Sequence, residues 1–357
     1  MENKKQSGLD IDLGNRCSAN AYGWAKKTFK FRSGKKGDPK IGLEGSFANS
    51  VFFGNERIGI SSDGIGTKVE VAERMQKYDT LGFDLVAMVV DDLIVNGFEP
   101  TNLSNIIDVD FLDYDIINSL MSGLYKASEN AKIAVTGGEI AELGNRICGY
   151  GDNMHFNWTA TAIGTLISEL ENPMDGSSVR PGDTVISLQS RGFRSNGFSL
   201  ARKILTEKYG DDWHNKEFIQ DKKWGDVLLT PSIIYSPAVT ELFNKRFNIK
   251  AAVHITGGGI GDNLKRALKK NGLGAEFDNL FAPHLAMQTL GEMGNIPLET
   301  LYRIWNMGNG MLIILPSFEA ESAVTYLNKM KYNAKVAGKI TKDSKIVIKT
   351  ENAVLEY

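Results

Sequence analysis

Residues 60–100 read ISSDGIGTKVEVAERMQKYDTLGFDLVAMVVDDLIVNGFEP. Apolar residues recur at helical spacing through the second half of this segment and predict a helix over residues 81–96. Asp84, Asp91 and Asp92 interrupt that apolar pattern. Because a buried carboxylate is costly unless a cation or hydrogen-bond donors compensate it, these acids indicate partners of that kind. The alternative is that they face solvent.

A further acid stands at the start of a glycine turn. Asp63 ends the strand-like residues 56–62 and opens the turn DGIGTK (63–68). Carboxylates beside glycine turns, a threonine and a lysine suit Mg²⁺ and phosphate oxygens. The structural alternative is that Asp63 only caps the segment that follows it.

Composition sets broad limits on the class of protein. The 357 residues are enough for two hydrophobic cores. A hydrophobic content of 42% and a charged content of 24% are ordinary for a globular chain. The formal net charge of −2 gives no overall field that favours nucleic acid. One basic segment, residues 26–36, is typical of a solvated loop, with a phosphate-binding arm as the alternative.

Cysteine usage and apolar patterning indicate a cytoplasmic protein. Cys17 and Cys148 cannot form a disulfide framework, and a reducing compartment fits them. The first residues lack the apolar region of a signal peptide, and no run of 18 apolar residues occurs. We therefore expect neither secretion nor a membrane partner.

Strands and helices alternate in two blocks, which predicts a mixed α+β (α/β) protein of two domains. We expect a mobile, glycine-punctuated segment over residues 1–50 and domains over 51–168 and 169–357. The polar residues 168–182 are the predicted linker. Thr230 followed by Pro231 predicts the start of a helix that runs to about residue 245.

Glycine-rich turns follow several of the predicted strands. In GGEIAE, Glu139 and Glu142 are three residues apart, which would place them on one face of a helix. Together with Asp63 and the pair Asp91-Asp92, they would form an oxygen-rich magnesium site. No P-loop, dinucleotide-binding or paired-histidine motif occurs, so those classes of site are excluded. The turns are DGIGTK (63–68), GGEIAE (137–142), RSNG (194–197), HITGGG (254–259) and NMGNG (306–310).

These motifs resemble, in order and over nearly the whole chain, those of the phosphoribosylformylglycinamidine cyclo-ligase (aminoimidazole ribonucleotide synthetase) family. DIDLGN (10–15) is similar to the family's DIDAGN, the turn DGIGTK to DGVGTK, GGEIAE to GGETAE, and HITGGG is the same in both. The chain departs from the family pattern with Asp91 in place of Asn, Ile140 in place of Thr, and Arg194 in place of His. These departures bear on substrate contacts.

The resemblance implies a homodimer in which the N-terminal mixed sheets, with their helices, pair into a barrel, and a C-terminal α/β sandwich. It implies that the first domain binds ATP and Mg²⁺ and that the second binds the substrate and its phosphate. The implied reaction is ATP-dependent ring closure of formylglycinamidine ribonucleotide in purine biosynthesis. Two alternatives stay open: another ATP-dependent enzyme of the same superfamily, and a non-catalytic nucleotide-binding paralogue.

The resemblance also assigns roles to single residues. Lys68 would neutralise phosphate oxygens, or else pair structurally with the acids, and His254 would carry a proton unless it is a satisfied core residue. The metal ligands would be Asp63, Asp92, Glu139 and Glu142. The substrate would contact Arg194, Ser195, Asn196, Gly257, Gly258 and Gly259. ATP would contact Asp10, Asn15, Gly45, Asp63, Gly64, Gly66, Thr67, Lys68, Asp91, Gly138 and Glu139.

Overall fold

The computed structural model describes residues 11–39, 48–351 and 353–357. Its first unit is a five-stranded sheet with helices on one face. In chain order, the elements are α1 (Ile11–Thr28), β1 (Asn49–Phe53), β2 (Glu56–Gly64), α2 (Val69–Met75), α3 (Leu81–Ile94), β3 (Phe98–Val109), α4 (Tyr114–Ala131), β4 (Ala134–Glu142) and β5 (Phe156–Leu166). The strand order is β1-β2-β5-β3-β4, and only the β3–β4 pair is parallel.

The second unit is built on a seven-stranded mixed sheet of order β14-β13-β10-β12-β6-β11-β9. Residues 167–183 connect it to the first unit. Its elements are β6 (Thr184–Gln189), α5 (Phe198–Tyr209), β7 (Glu217–Ile219), β8 (Lys222–Lys223), α6 (Trp224–Leu228), α7 (Ser236–Asn244), β9 (Ala251–His254), α8 (Gly259–Leu268), β10 (Gly274–Phe277), α9 (Leu285–Met293), α10 (Leu298–Ile304), β11 (Asn309–Leu315), α11 (Ala320–Lys329), β12 (Ala334–Thr341), β13 (Ile346–Lys349) and β14 (Val354–Glu356).

Helix α3 lies between the two units. It packs on β2, β3 and β5 of its own sheet and contacts α7 and β9 of the second unit. Every residue of α3 except Phe83 and Asp92 is buried. At Gly82 a side chain would lie 2.3 Å from the backbone of Gly123, so this glycine permits the close crossing of α3 and α4. Helix α3 ends at Ile94, two residues before the predicted end, and Gly97 follows in the turn with a φ of 81°.

The two-domain, mixed α+β architecture predicted from the sequence is confirmed. The division at residues 51–168 and 169–357 stays a prediction, as does the barrel formed across a dimer. No helix among the described residues combines the length and apolar character needed to cross a membrane.

The helix predicted to begin at Pro231 begins instead at Ser236, so that prediction is wrong. Residues 230–235 have no regular structure. The physical reason is that buried side chains of the first unit and of the neighbouring loop hold the backbone groups of this segment, which removes them from a helical hydrogen-bond ladder.

Candidate active site

Asp84 is compensated by a lysine inside the domain interface. Lys68 Nζ lies 2.7 Å from Asp84 Oδ2, and neither side chain is exposed. Lys68 also donates to the carbonyl oxygen of Thr230 at 2.8 Å. Ser232 donates to Asp84 Oδ1 from its backbone N–H at 3.1 Å and from its hydroxyl at 2.5 Å. Of the two roles predicted for Lys68, the structure shows the structural ion pair with an acid. A contact between Lys68 and phosphate would require this ion pair to open.

Asp91 is compensated by an arginine and by a helix N-terminus. Its Oδ1 accepts from the backbone N–H groups of Tyr235 and Ser236 at 2.8 and 2.9 Å, where α7 begins. Its Oδ2 accepts from Arg194 Nη2 at 2.9 Å. Burial raises the pKa of Asp91, and Arg194 opposes that shift. Asp91 is fully buried, so the ATP contact predicted for it stays a prediction that this arrangement does not favour.

His254 connects Arg194 to Asp92. Arg194 Nη2 lies 2.7 Å from His254 Nε2, and His254 Nδ1 lies 2.8 Å from Asp92 Oδ1. Burial, with the charge of Arg194, lowers the pKa of His254 to about 3, so the ring is neutral. Burial also raises the pKa of Asp92 to about 8, although Arg266 and Arg194 lower it in part.

Asp63 at the end of β2 lies close enough to Asp92 for the charge of one carboxylate to act on the other. Asp63 Oδ1 accepts from the backbone N–H of Gly64 at 2.7 Å. Desolvation of the carboxyl raises the pKa of Asp63 to about 6, and the charge of Asp92 adds to this shift. Two neighbouring acids with raised pKa values are suited to a cation, which would favour their ionised forms. Among the described residues, no group of three or more acidic, histidine or cysteine side chains has the geometry of a metal site.

Glu139 and Glu142 do not join this pair. The segment predicted as a helical face is strand β4, so that prediction is wrong, and residues three apart on a strand point to opposite faces. The register pairs Glu139 with Ile106, Ile106 with Thr159, and Thr159 with Gly64. Three strand spacings, about 14 Å, therefore separate Glu139 from the end of β2. Gly138 lies in the next row, where a side chain would be 2.8 Å from the amide of Asn105.

Three of the predicted glycine turns meet at the domain interface. A side chain at Gly66 would lie 4.0 Å from the carbonyl oxygen of Ser195, and one at Gly257 would lie 3.7 Å from Asn196 Oδ1. Thr67 Oγ1 is 3.4 Å from Ser199 Oγ. The turns DGIGTK, RSNG and HITGGG thus surround one region, with α8 starting at the last of them.

Consecutive residues of the RSNG turn hold buried polar atoms that lack a partner among the described residues. These atoms are Arg194 Nε, Ser195 Oγ and Asn196 Nδ2. Because buried polar groups in native structures are normally hydrogen-bonded, such a row indicates a ligand with acceptor oxygens. Gly259 (φ 63°) starts α8 and must be glycine, since a side chain would lie 1.7 Å from the carbonyl oxygen of Tyr302. Helix N-termini favour anions.

The remaining site residues fall into two groups. Asp10 and Gly45 and the side chain of Asn15 lie outside the described residues. Arg266 and Ser199 were missed, because no motif marks Arg266 on α8 and Ser199 lies on α5, just outside the RSNG turn. The structure brings together Asp63, Gly64, Gly66, Thr67, Asp92, Ser195, Asn196, His254, Gly257, Gly258 and Gly259.

Two family models match the chain. "AIR synthase related protein, N-terminal domain" covers residues 48–166, and "AIR synthase related protein, C-terminal domain" covers residues 180–351. The chain is 40% identical over 338 residues to the phosphoribosylformylglycinamidine cyclo-ligase of Thermococcus gammatolerans, with 95% of each chain covered. It is 37% identical over 354 residues to the protein of that name from Pyrococcus horikoshii, with 98% of each covered. Among solved structures, it is similar in fold to hydrogenase maturation protein HypE in complex with ATP (TM-score 0.58, 17% identity, 84% of each chain).

Proposed function

This chain belongs to the phosphoribosylformylglycinamidine cyclo-ligase family, and on that premise we propose that it closes the imidazole ring of aminoimidazole ribonucleotide from formylglycinamidine ribonucleotide. ATP is the second substrate, and ADP and phosphate are the other products. The observation that carries this proposal is the meeting of an acid pair, Asp63 and Asp92, with three glycine turns at the domain interface. Relatives of 37–40% identity over almost the whole chain argue against both alternatives, another ATP-dependent enzyme of the superfamily and a non-catalytic paralogue.

The reaction asks the protein mainly to bind and orient its two substrates. The formyl oxygen attacks the terminal phosphorus of ATP, and ADP leaves. The amidine nitrogen then attacks the activated carbon, the carbon–oxygen bond breaks, phosphate leaves, and a proton is lost from the ring. Positioning and charge neutralisation dominate phosphoryl transfer. The unpartnered donors of Ser195 and Asn196 and the start of α8 would hold the substrate and its phosphate.

The same residues fit a magnesium ion. Asp63 and Asp92 offer carboxylate oxygens, which Mg²⁺ prefers, and desolvation raises the pKa of both carboxyls, a shift that a bound cation would offset. Bound there, the ion would neutralise the phosphate oxygens of ATP. We retain Asp63 and Asp92 as ligands of one ion. Since about 14 Å of sheet separates Glu139 from this pair, and Glu142 is turned to the other face, the metal contacts expected of these two residues stay predictions that this arrangement does not favour.

We propose further that two copies of the chain pair through the open face of the five-stranded sheet. Helix α3 packs on the other face, and α4 packs on α3. On the open face, Ile106 is 47% exposed and Ile163 is 39% exposed, at the centre of β3 and β5. Apolar residues in the middle of an uncovered sheet are typical of a surface that binds a partner. This supports the homodimer implied by the family resemblance.

The test combines ADP release with detection of aminoimidazole ribonucleotide. With formylglycinamidine ribonucleotide present, the wild-type chain should form both products, and Asp63→Asn should lose nearly all ADP release while its unfolding midpoint stays near that of wild type. Glu207→Gln, a matched loss of one exposed carboxylate on α5, should keep full turnover. Wild-type turnover in Asp63→Asn removes Asp63 from the metal site. If ATP with Mg²⁺ raises the unfolding midpoint without any turnover, the nucleotide-binding paralogue is the better interpretation.

A further inference from the structure

Arg194 is buried in the domain interface, and its terminal nitrogens are already bonded to protein groups. Its side chain is 1% exposed, and both terminal nitrogens donate to protein groups. Nη1 donates to the carbonyl oxygen of Ile233 at 2.7 Å. Nη2 donates to Asp91 and His254, and the guanidinium lies 4.9 Å from the ring centre of Tyr235. The residue also adopts a left-handed backbone with φ of 59°, a conformation that persists only where the surroundings impose it.

The contact between Arg194 and His254 fixes the histidine tautomer. A guanidinium has only donors, so His254 Nε2 must accept the hydrogen bond from Nη2. The neutral ring therefore carries its proton on Nδ1. That proton points at Asp92 Oδ1, 2.8 Å away, so His254 donates to Asp92. The hydrogen bond from Arg194 to Nε2 thus decides which tautomer His254 presents to Asp92.

Asp91 is the other half of this arrangement. Without it, Arg194 would be a buried charge with no carboxylate bonded to it, and it already lowers the pKa of Asp92. With it, Arg194 is neutralised in place, and Asp91 is itself anchored by the start of α7. Asp91 and Arg194 are also two of the positions at which the sequence departs from the pattern of the family it resembles. The two departures are in direct contact at 2.9 Å.

We propose that Arg194 and Asp91 are a coupled pair of positioning residues that hold His254 as the Nδ1–H tautomer and so orient the Asp92 carboxylate toward Asp63. The proposal rests on the proposed function, in which Asp92 binds the cation. Groups that orient a metal ligand through a histidine are worth about 10–100-fold in metal affinity or activity when they are removed. Arg194 acts through His254 and is not a catalytic residue.

The first measurement is the tautomer of His254 in the full chain without nucleotide or metal. Long-range proton–nitrogen correlation spectra of ¹⁵N-histidine-labelled protein report it, and His254→Gln assigns the signal among the four histidines. We expect only the Nδ1–H form in the wild-type chain and a mixture of both tautomers in Arg194→Met.

The second measurement is the Mg²⁺ concentration for half-maximal ADP release. We expect it to rise about 10–100-fold in Arg194→Met. The double variant Asp91→Asn/Arg194→Met removes both charges and guards against an unfolded single variant. It should recover the unfolding midpoint and still show the mixed tautomer and the raised Mg²⁺ requirement, which a merely structural role would not produce.

Asp183→Asn is the matched control. Asp183 forms a buried ion pair with Lys250 at the opposite end of β9, about 13 Å from His254 along the strand. This variant should lose stability but keep the tautomer and the Mg²⁺ requirement. A pure Nδ1–H form in Arg194→Met overturns the proposal, and so does a mixed tautomer with an unchanged Mg²⁺ requirement. Separately, an unchanged Mg²⁺ requirement in Asp92→Asn would overturn the metal site of the proposed function.

Discussion

Replacing Lys68 with methionine should destabilise the protein, because its ammonium group compensates a carboxylate that has no contact with water. Lys68 Nζ and Asp84 Oδ2 are 2.7 Å apart, and both side chains are fully buried. Removing one partner of a buried ion pair typically costs about 3–5 kcal/mol. Since Asp84 keeps two hydrogen bonds from Ser232, we expect the lower end, about 3 kcal/mol. At roughly 2–4 °C per kcal/mol, the unfolding midpoint should fall by about 10 °C.

The loss should depend on pH in a definite direction. Burial raises the pKa of Asp84, and without Lys68 only the hydrogen bonds from Ser232 would oppose that shift. A carboxyl whose folded-state pKa exceeds its unfolded value contributes stability below the unfolded pKa and loses that contribution as the pH rises. Lys68→Met should therefore come closest to wild type near pH 4 and fall furthest behind at pH 8. The double variant Lys68→Met/Asp84→Asn should regain about 2 kcal/mol at pH 8, because no uncompensated charge remains.

Urea and thermal unfolding followed by tryptophan fluorescence measure these differences. Lys203→Met is the control, since Lys203 Nζ lies 3.9 Å from Glu207 on an exposed face of α5 and should change stability by less than about 0.5 kcal/mol. The reasoning is refuted if Lys68→Met stays within about 1 kcal/mol of wild type, or if the double variant is no more stable than the single one. If the double variant is stable but no longer releases ADP, the result would support the phosphate contact predicted for Lys68 from the sequence.

Two further predictions concern other parts of the first unit. Burial raises the pKa of Glu73 to about 7, so between about pH 4.5 and 7 the folded chain binds a proton that the unfolded chain has lost, and stability falls as the pH rises through that window. Relative to wild type, Glu73→Gln should therefore gain up to about 3 kcal/mol of unfolding free energy between pH 5 and pH 8, measured by urea unfolding. A difference that stays constant with pH would contradict this. Ile106→Lys on the open sheet face should convert a dimer to a monomer in sedimentation velocity, whereas Tyr114→Lys, on the exposed start of α4, should not; a wild-type chain that is already monomeric would count against the dimer.

Features set by local sequence could be predicted. Helix α3 follows from apolar spacing and is observed, although it ends at Ile94 and not at the residue before Gly97. The three glycine turns that meet at the interface could be named as separate motifs, since each stands between a strand and a helix. The sequence pattern could not predict which of the five turns would meet, because their meeting depends on how the two domains pack together.

Long-range pairing explains why the predicted helix start at Pro231 is wrong and why Glu139 lies far from Asp63. Thr230 and Pro231 are good helix-start residues, yet α7 begins at Ser236 because acids and cations from outside the segment take its backbone groups. Glu139 carried a plausible local signal for metal binding. Its distance from Asp63 is set by two other strands lying between β2 and β4 in the sheet, and nothing near residue 139 in the sequence specifies that order.

The three aspartates of α3 differ in their partners, which separates the two with structural roles from the one available to a ligand. Asp84 meets a lysine, and Asp91 meets an arginine and a helix N-terminus, so each has a full positive partner. Asp92 receives its hydrogen bond from a neutral histidine, and its pKa still stands at about 8 despite two arginines nearby. It is also the aspartate of α3 that is only partly buried. Because Asp92 is hydrogen-bonded by a neutral histidine and its charge acts on Asp63, we expect a cation at this pair of acids and not at Asp84 or Asp91.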